Sequence, residues 1–166
     1  MDADERERFA FLEGLTPEES HTILQRCQIA RVKKGEKIFR AGESADSLYL
    51  VRSGQIELRF PVVYYSGTVE IPLDMIRAGE VCGWSALIPP HSYTLMGCAT
   101  EDSELLQFKR TDLQDACESS PRLGYLVMKN VARIIGERYE LTRRMLIAGI
   151  ETDLKKKENK QLWQSA

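Results

Sequence analysis

The chain has 166 residues, of which 43% are hydrophobic and 29% are charged. This size and composition suit one globular domain with its own core and exclude a disordered chain. The formal net charge of −2 gives no general basic field, so bulk electrostatics do not support nucleic-acid binding. No apolar run approaches the ~20 residues of a membrane-spanning helix, and the charged amino terminus has no apolar signal core. We therefore expect a cytoplasmic protein without membrane contact.

The first clear signals are those of a helix. Thr16 is a capping residue, Pro17 suits the first helical position, and Glu19 completes a capping box with Thr16. Ile23 and Leu24 then lie on one face of this helix at helical spacing. A short helix or a docked arm is expected ahead of it, at the apolar residues Phe9, Phe11 and Leu12.

From Gln28 the apolar period changes to two, which predicts a series of short strands. Glycines mark the corners between them: Gly35, Gly42, Gly54, Gly67, Gly79 and Gly83. The predicted strands are 29–32, 37–39, 47–52, 55–60, 69–73, 75–76, 93–99 and 103–108, with 61–68 as a strand pair or a loop tip. A short helical turn is predicted at 85–88. This rhythm predicts an antiparallel β-roll or jelly-roll barrel, so with its helices the chain is mainly β with α, an α+β fold.

Two helices are predicted after the strands. Thr111 and Asp112 cap the first, which runs through Cys117, and Pro121 starts a long helix that ends near Ile147. Apolar residues recur along the long helix at spacings typical of a stripe: Val127, Val131, Ile134, Leu141 and Met145. The stripe fits packing on the chain's own barrel, pairing with the same helix of a second copy, or both. We accordingly divide the chain into 1–120, the long helix 121–150 and a polar tail 151–166.

A 26-residue stretch, Lys33 to Leu58, resembles the first half of the barrel of cyclic nucleotide-binding domains, in which glycines turn the strands. The stretch from Met75 to Thr94 resembles that family's phosphate-binding cassette, and the likeness extends from about Thr16 to Leu146. It is greatest to sensor domains of the catabolite activator and fumarate–nitrate regulator type. The alternative barrel, a cupin, needs a His/Glu metal cluster, and the chain has only His21 and His91.

The resemblance implies a homodimer through the long helix and a further protein partner. Regulators of this type append a winged helix-turn-helix, and the residues after Ile150 are too few to form one. Their single basic cluster, Lys155 to Lys157, is small. We therefore expect no direct DNA binding by this chain, whether it is a sensor domain alone or part of a longer regulator.

In the family, an arginine and helix-start N–H groups hold the cyclic phosphate, and a glutamate after the cassette glycine accepts from the ribose 2′-hydroxyl. Gly83 matches the cassette glycine, but the next residue is Trp84, whose indole N–H cannot accept. The arginine position falls at His91 or Ser92. The resemblance implies a site at the cassette and on the long helix, made of Gly83, Trp84, Ser85, Ala86, Leu87, His91, Ser92, Tyr93, Thr94, Arg138 and Tyr139.

Two functions remain open from these residues. In the first, the chain is a sensor with altered or lost cyclic nucleotide specificity, in which Trp84 is an aromatic wall and Arg138 a relocated cation. In the second, the pocket is degenerate and the domain serves dimerisation or protein interaction, with Trp84 in the core and Arg138 in an ion pair. No cofactor is required by either function, and the candidate ligand is a cyclic nucleotide or another small anionic effector.

Enzyme activity is not expected. We find no nucleophile–base pair, metal cluster or carboxylate dyad at useful spacing, and neither a P-loop nor a dinucleotide fingerprint. The four cysteines, Cys27, Cys82, Cys98 and Cys117, are scattered without a C-x-x-C pair, which favours reduced thiols over a metal or redox site.

Overall fold

The computed structural model describes the backbone of residues 9–65 and 67–164, and the side chains of these residues up to Lys156. The chain divides into two compact units, Met1–Val131 and Ala132–Ala166. All the described strands and the shorter helices belong to the first unit. The second unit is the continuation of the last helix.

The strands of the first unit form two antiparallel four-stranded sheets. One sheet has the order β1-β8-β3-β6 and the other the order β2-β7-β4-β5. The predicted mainly β fold with an antiparallel roll is confirmed. The strands are β1 (Gln28–Val32), β2 (Lys37–Phe39), β3 (Ser47–Ser53), β4 (Gln55–Tyr64), β5 (Gly67–Arg77), β6 (Val81–Cys82), β7 (Met96–Ala99) and β8 (Ser103–Lys109).

Helices precede and follow the strands, as predicted. They are a 3-10 turn (Ala10–Leu12), α1 (Pro17–Leu24), a second 3-10 turn that follows β6 in the chain (Trp84–Ala86), α2 (Arg110–Ser119) and α3 (Pro121–Gln164). The capping box of α1 is formed, because the Thr16 hydroxyl accepts from the Glu19 N–H at 3.2 Å and the Glu19 carboxylate accepts from the Thr16 N–H at 2.8 Å.

The core of the first unit has two layers, one inside the roll and one beneath the helices. Inside the roll, aromatic side chains from both sheets stack on one another. On the helical side, the Phe11 and Phe108 ring centroids lie 6.3 Å apart. The first part of α3 is bonded to the N-terminal 3-10 turn. Buried Asn130 donates through Nδ2 to the carbonyl oxygens of Phe11 and Glu13, both at 2.9 Å. These bonds satisfy both amide protons of the buried Asn130 side chain.

Several predicted strand and turn boundaries are wrong. The segment 69–76 is one strand, β5, rather than two, and β7 begins at Met96 instead of residue 93. The helical turn of the cassette is Trp84–Ala86 and not 85–88.

The predicted helix boundaries also change. Helix α2 begins at Arg110 with Lys109 as an N-cap that makes no side-chain hydrogen bond, so Thr111 and Asp112 are not its caps. Helix α3 continues through Gln164, beyond the predicted end at Ile147. The physical reason is that residues 150–164 contain no glycine or proline and are rich in lysine, glutamate, glutamine and leucine, all strong helix formers.

Candidate ligand-binding cassette

Gly83 begins the cassette in a conformation that only glycine adopts easily. Its φ is +76°, in the left-handed region. A Cβ at this position would lie 2.9 Å from the Ser47 carbonyl oxygen and 3.3 Å from the Tyr49 ring. Two independent constraints therefore require glycine here, and the cassette begins in close contact with strand β3.

Tyr93 ends the cassette loop inside the roll. Its hydroxyl donates to the Ser47 carbonyl oxygen at 2.6 Å and accepts from the Ser47 N–H at 3.2 Å. Its ring stacks on Phe39 with centroids 4.3 Å apart, and Phe39 stacks on Tyr49 at 5.9 Å. Burial raises the pKa of both Tyr93 and Tyr49 above the usual phenol range. These tyrosines are neutral core groups, and the Tyr93 hydroxyl is used within the protein.

His91 holds the middle of the cassette loop. Its Nδ1 lies 3.0 Å from the carbonyl oxygen of Ala86, which can only accept, so Nδ1 carries the proton. Its backbone carbonyl accepts from the N–H of Ala45 at 2.8 Å. His91 is also the one described non-glycine residue with positive φ, at 57°. Side chain and backbone together fold the loop onto the segment between β2 and β3.

That segment, residues 42–45, pairs with the end of the cassette. Gly42 N–H donates to the Tyr93 carbonyl at 2.7 Å, and Tyr93 N–H donates to the Glu43 carbonyl at 3.0 Å. Ser44 and Ser92 form an isolated antiparallel bridge. The strand predicted from residue 93 is thus replaced, at its beginning, by a loop-to-loop contact.

The structure brings the predicted cassette residues together on one loop, with different exposures. Gly83, Ser85, Ala86 and Tyr93 are buried, Trp84, Leu87, His91 and Ser92 are half-buried, and Thr94 is exposed. The cassette from Gly83 to Thr94 contains no charged side chain. The surface it offers a ligand is therefore aromatic and polar but uncharged.

Arg138 and Tyr139 lie on α3 in the second unit, so their approach to the cassette stays a prediction. On the same helix, Glu137 bonds to Arg133 at 3.2 Å and Glu140 bonds to Arg143 at 3.0 Å, and Arg138 also has an interaction of its own. Tyr139 is exposed.

Sequence reasoning missed the residues that support the cassette from behind: Phe39, Ala45, Ser47 and Tyr49. One usable signal was present. Residues 47–51 contain no charge and are all buried, which is typical of a strand covered on both faces. Leu48 and Leu50 alternate with Tyr49 and Val51 along this strand, and both of its faces are buried.

A separate groove of about 330 Å³ lies beside the end of α1. It contains none of the predicted site residues. Cys27, half-buried in its wall, has a pKa raised by burial, so its thiol is neutral and unreactive near pH 7. The groove is lined by His21, Leu24, Gln25, Cys27, Ile29, Arg52 and Leu106.

Two further features concern the described part of the chain only. No group of three or more His, Cys, Asp or Glu residues is arranged there to hold a metal ion. None of its helices combines the length and the apolar character needed to cross a bilayer.

Comparison with known proteins identifies the family. The family model "Cyclic nucleotide-binding domain" matches residues 29–120. The cyclic AMP receptor protein of Thermus thermophilus is 32% identical over 141 residues, which are 85% of this chain and 59% of that protein. This chain therefore spans about three fifths of that relative's length.

Solved structures of cyclic nucleotide-binding proteins are also similar to this chain. A cyclic nucleotide-binding protein from Geobacter metallireducens is 30% identical, with a TM-score of 0.67, over 84% of this chain and 99% of the other. A cyclic nucleotide-binding domain from Methylobacillus flagellatus matches the fold with a TM-score of 0.76 at 18% identity, over 87% of this chain and 83% of that one. The protein belongs to the cyclic nucleotide-binding domain family.

Proposed function

We propose that the chain is a regulatory module in which an effector bound at the cassette is sensed by helix α3, with a ligand specificity that departs from cyclic AMP and cyclic GMP. Membership of the family supports the regulatory class rather than an enzyme. The observation that carries the altered specificity is the uncharged cassette, in which Trp84 follows Gly83 and no arginine or lysine lies between Gly83 and Thr94.

The absence of the family's arginine and glutamate from the cassette should weaken the binding of a cyclic nucleotide. A hydrogen bond between a charged and a polar group contributes about 1.5–3 kcal/mol, so losing one weakens binding about tenfold or more. His91 does not replace an arginine, because its Nδ1 proton is used on the Ala86 carbonyl oxygen and its ring cannot offer the two parallel N–H groups of a guanidinium. A cyclic phosphodiester would thus meet neither the guanidinium nor the carboxylate with which this family binds it.

A continuous series of contacts supports signal transfer from the cassette to α3. The Ala45 N–H donates to the His91 carbonyl oxygen. The next residue, Asp46, contacts Arg110 at the start of α2 in two ways: its carbonyl oxygen accepts from the Arg110 N–H at 2.8 Å, and its carboxylate pairs with Arg110 Nη2 at 3.2 Å. At the other end of α2, the Cys117 carbonyl oxygen lies so close to Gly124 of α3 that a Cβ there would be 2.9 Å away. A shift of the cassette is thereby passed to α3 through one short helix.

The same unit supports a second function, a degenerate module without a ligand. The specific observation in its favour is the stack of Phe39, Tyr49 and Tyr93 directly behind Gly83. These rings fill the inside of the roll next to the cassette, and the Tyr93 hydroxyl is already bonded to Ser47. In this function the module acts through its dimer or a protein partner.

Either function is served by a homodimer through α3, and we assign its contact to one side of that helix. Val127 and Val131 of the predicted stripe are buried in the first unit together with Leu123, so this part of the stripe belongs to the chain's own core. At 3.6 residues per turn, Tyr125 and Met128 lie on the opposite side and are exposed. Spacings of three, four and seven residues extend that side along the helix: Tyr125, Met128, Ala132, Ile135, Tyr139, Leu146 and Ile150.

A fluorescence screen distinguishes sensor from degenerate module. Trp84 lies in the cassette, and the only other tryptophan is Trp163, so a Trp163→Phe variant reports on the cassette alone. The ligands are cyclic mononucleotides, cyclic dinucleotides and small aromatic carboxylates. A sensor gives a saturable change in Trp84 emission with slower hydrogen exchange in α3, whereas no change with any of these ligands favours the degenerate module. Trp84→Phe in the same background is the control for signals that arise elsewhere.

A further inference from the structure

The hairpin of β4 and β5 extends beyond the sheet that it belongs to. Strand β7 pairs with β4 only from Ile56 to Arg59, while β4 and β5 continue to pair as far as Tyr64 and Gly67. The outer part of this hairpin is therefore a two-stranded ribbon with no third strand. Such ribbons are marginally stable in water unless another element packs against them.

One face of the ribbon is apolar and exposed. Alternation along β4 puts Phe60 and Val62 on the same face as buried Ile56. Their partners across the ribbon are Ile71 and Val69, which are 47% and 56% exposed. No charged residue occurs from Phe60 to Val69. The core-facing pattern of the sheet thus continues on the ribbon, where Phe60, Val69 and Ile71 are exposed.

The outer edge of β5 is protected in one half and open in the other. Strand β5 is the last strand of its sheet, so one of its edges has no partner strand. In the half near the roll, Pro72 has no N–H, and the Met75 N–H donates to the Asp74 carboxylate at 2.8 Å. Both devices prevent a strand from being added.

The distal half, Gly67 to Ile71, has neither device. Its one charged residue, Glu70, is neutralised by Lys37 at 2.8 Å and by Arg59 at 3.4 Å. Proline and an unpaired charge, the usual means of keeping an edge from pairing, are both missing from these five residues. An open, β-branched edge next to an exposed apolar face is the form of a strand that receives another strand.

We propose that the edge Gly67–Ile71 pairs antiparallel with the same edge of a second copy of this chain, about a two-fold axis at Val69. In this register Val69 faces Val69 of the second copy, and Glu70 faces Thr68, so no like charges are opposed. The apolar face then continues across four strands as a row of valines, Val62 and Val69 of each copy. This contact is separate from the helix contact and does not rest on the proposed function.

Cysteine cross-linking tests the register. Residues directly opposite in an antiparallel pair have Cα atoms about 4.5 or 5.5 Å apart, within the range that a disulfide spans. Val69→Cys in the full chain is expected to give a disulfide-linked dimer under mild oxidation, at least about tenfold faster than random collision, because pairing raises the effective thiol concentration. Val63→Cys is the matched control, since Val63 is exposed but lies on β4, away from the edge. The unsubstituted chain reports on the four native cysteines.

Charge substitution supplies the second measurement, by sedimentation in a Leu146→Lys background that weakens the helix contact. Val69→Lys is expected to give a monomer and Val63→Lys a dimer at the same concentration. Cross-linking of V69C no faster than V63C, or equal sedimentation of the two lysine variants, overturns the proposal and leaves the edge to a strand of another protein. Neither result depends on whether an effector binds the cassette.

Discussion

The Tyr93 hydroxyl donates to the Ser47 carbonyl oxygen at 2.6 Å and accepts from the N–H of the same residue at 3.2 Å. The buried Tyr93 side chain thereby satisfies both backbone groups of Ser47, and the carbonyl oxygen of Ser47 also lies against Gly83. The cassette loop is held in place by the protein's own hydrogen bonds, and the Tyr93 hydroxyl is already bonded within the protein before any ligand arrives.

Gly83 is expected to tolerate no side chain. Gly83→Ala combines an unfavourable positive φ, costing about 1–2 kcal/mol, with a clash against Ser47, and overpacking of this kind costs about 1–3 kcal/mol more. Gly42→Ala is the matched control, because Gly42 has φ +87° but nothing within 4 Å of the added Cβ. Urea unfolding should show a larger loss of stability for G83A than for G42A. Equal losses would mean that the cassette does not pack on Ser47 in solution.

Tyr93 is expected to make stability depend on alkaline pH. Burial raises the pKa of Tyr93 in the folded state above the unfolded value of about 10, so between these two values the unfolded chain binds fewer protons. Its stabilising contribution is therefore complete below pH 10 and is lost as pH rises toward the folded-state pKa. Tyr93→Phe should flatten this decline, which urea unfolding from pH 8 to pH 11 measures.

At neutral pH, Tyr93→Phe leaves the Ser47 N–H and carbonyl without their partner, at an expected cost of about 1–3 kcal/mol. Tyr64→Phe, at an exposed tyrosine, should change the free energy of unfolding by less than about 0.5 kcal/mol. An identical pH profile for Y93F and the unsubstituted chain would contradict the assignment of Tyr93 to the core.

Two glycines of α3 are expected to respond to alanine in opposite directions. Alanine is favoured over glycine in a helix interior by about 1 kcal/mol, so Gly136→Ala, with open space around it, should stabilise the protein. Gly124→Ala should destabilise it, because the added methyl would approach the Cys117 backbone carbonyl to 2.9 Å. Thermal unfolding of the two variants checks the prediction. A stabilising G124A would show that α2 and α3 are less tightly packed than the proposed signal path requires.

Helix α3 is expected to form a dimer through the side that carries Leu146. In a Val69→Lys background, where only the helix contact remains, Leu146→Lys should shift the sedimenting species from dimer to monomer because it places a charge in an apolar contact. Met145→Lys is the matched control, since Met145 lies on the other side of the helix and is also exposed, at 44% against 63% for Leu146. Dissociation by M145K but not by L146K would assign the contact to the opposite side of α3.

Much of the fold follows from local signals. The capping box at Thr16 and Glu19, the glycine corners and the apolar periods predict the order of helices and strands, because each depends on neighbouring residues only. The predicted end of α3 near Ile147 is too early, because the residues after Ile150, although polar, are strong helix formers. The α2 boundary was missed because Lys109 makes no side-chain cap.

The cassette is predictable in position but not in its contacts. Gly83 and the proline pair after Ile88 mark the loop in the sequence, whereas the stacking of Tyr93 on Phe39 joins residues far apart in the chain. No local pattern indicates that the Tyr93 hydroxyl is bonded to Ser47 rather than free for a ligand. The pairing of residues 42–45 with the end of the cassette depends in the same way on tertiary contacts.

Calorimetric titration of the full chain with cyclic AMP tests the central claim most directly. An uncharged cassette with Trp84 after Gly83 predicts no heat of binding at micromolar ligand, or at most a weak dissociation constant in the millimolar range. A dissociation constant below one micromolar would contradict the account, because such affinity requires the charged contacts that the cassette lacks.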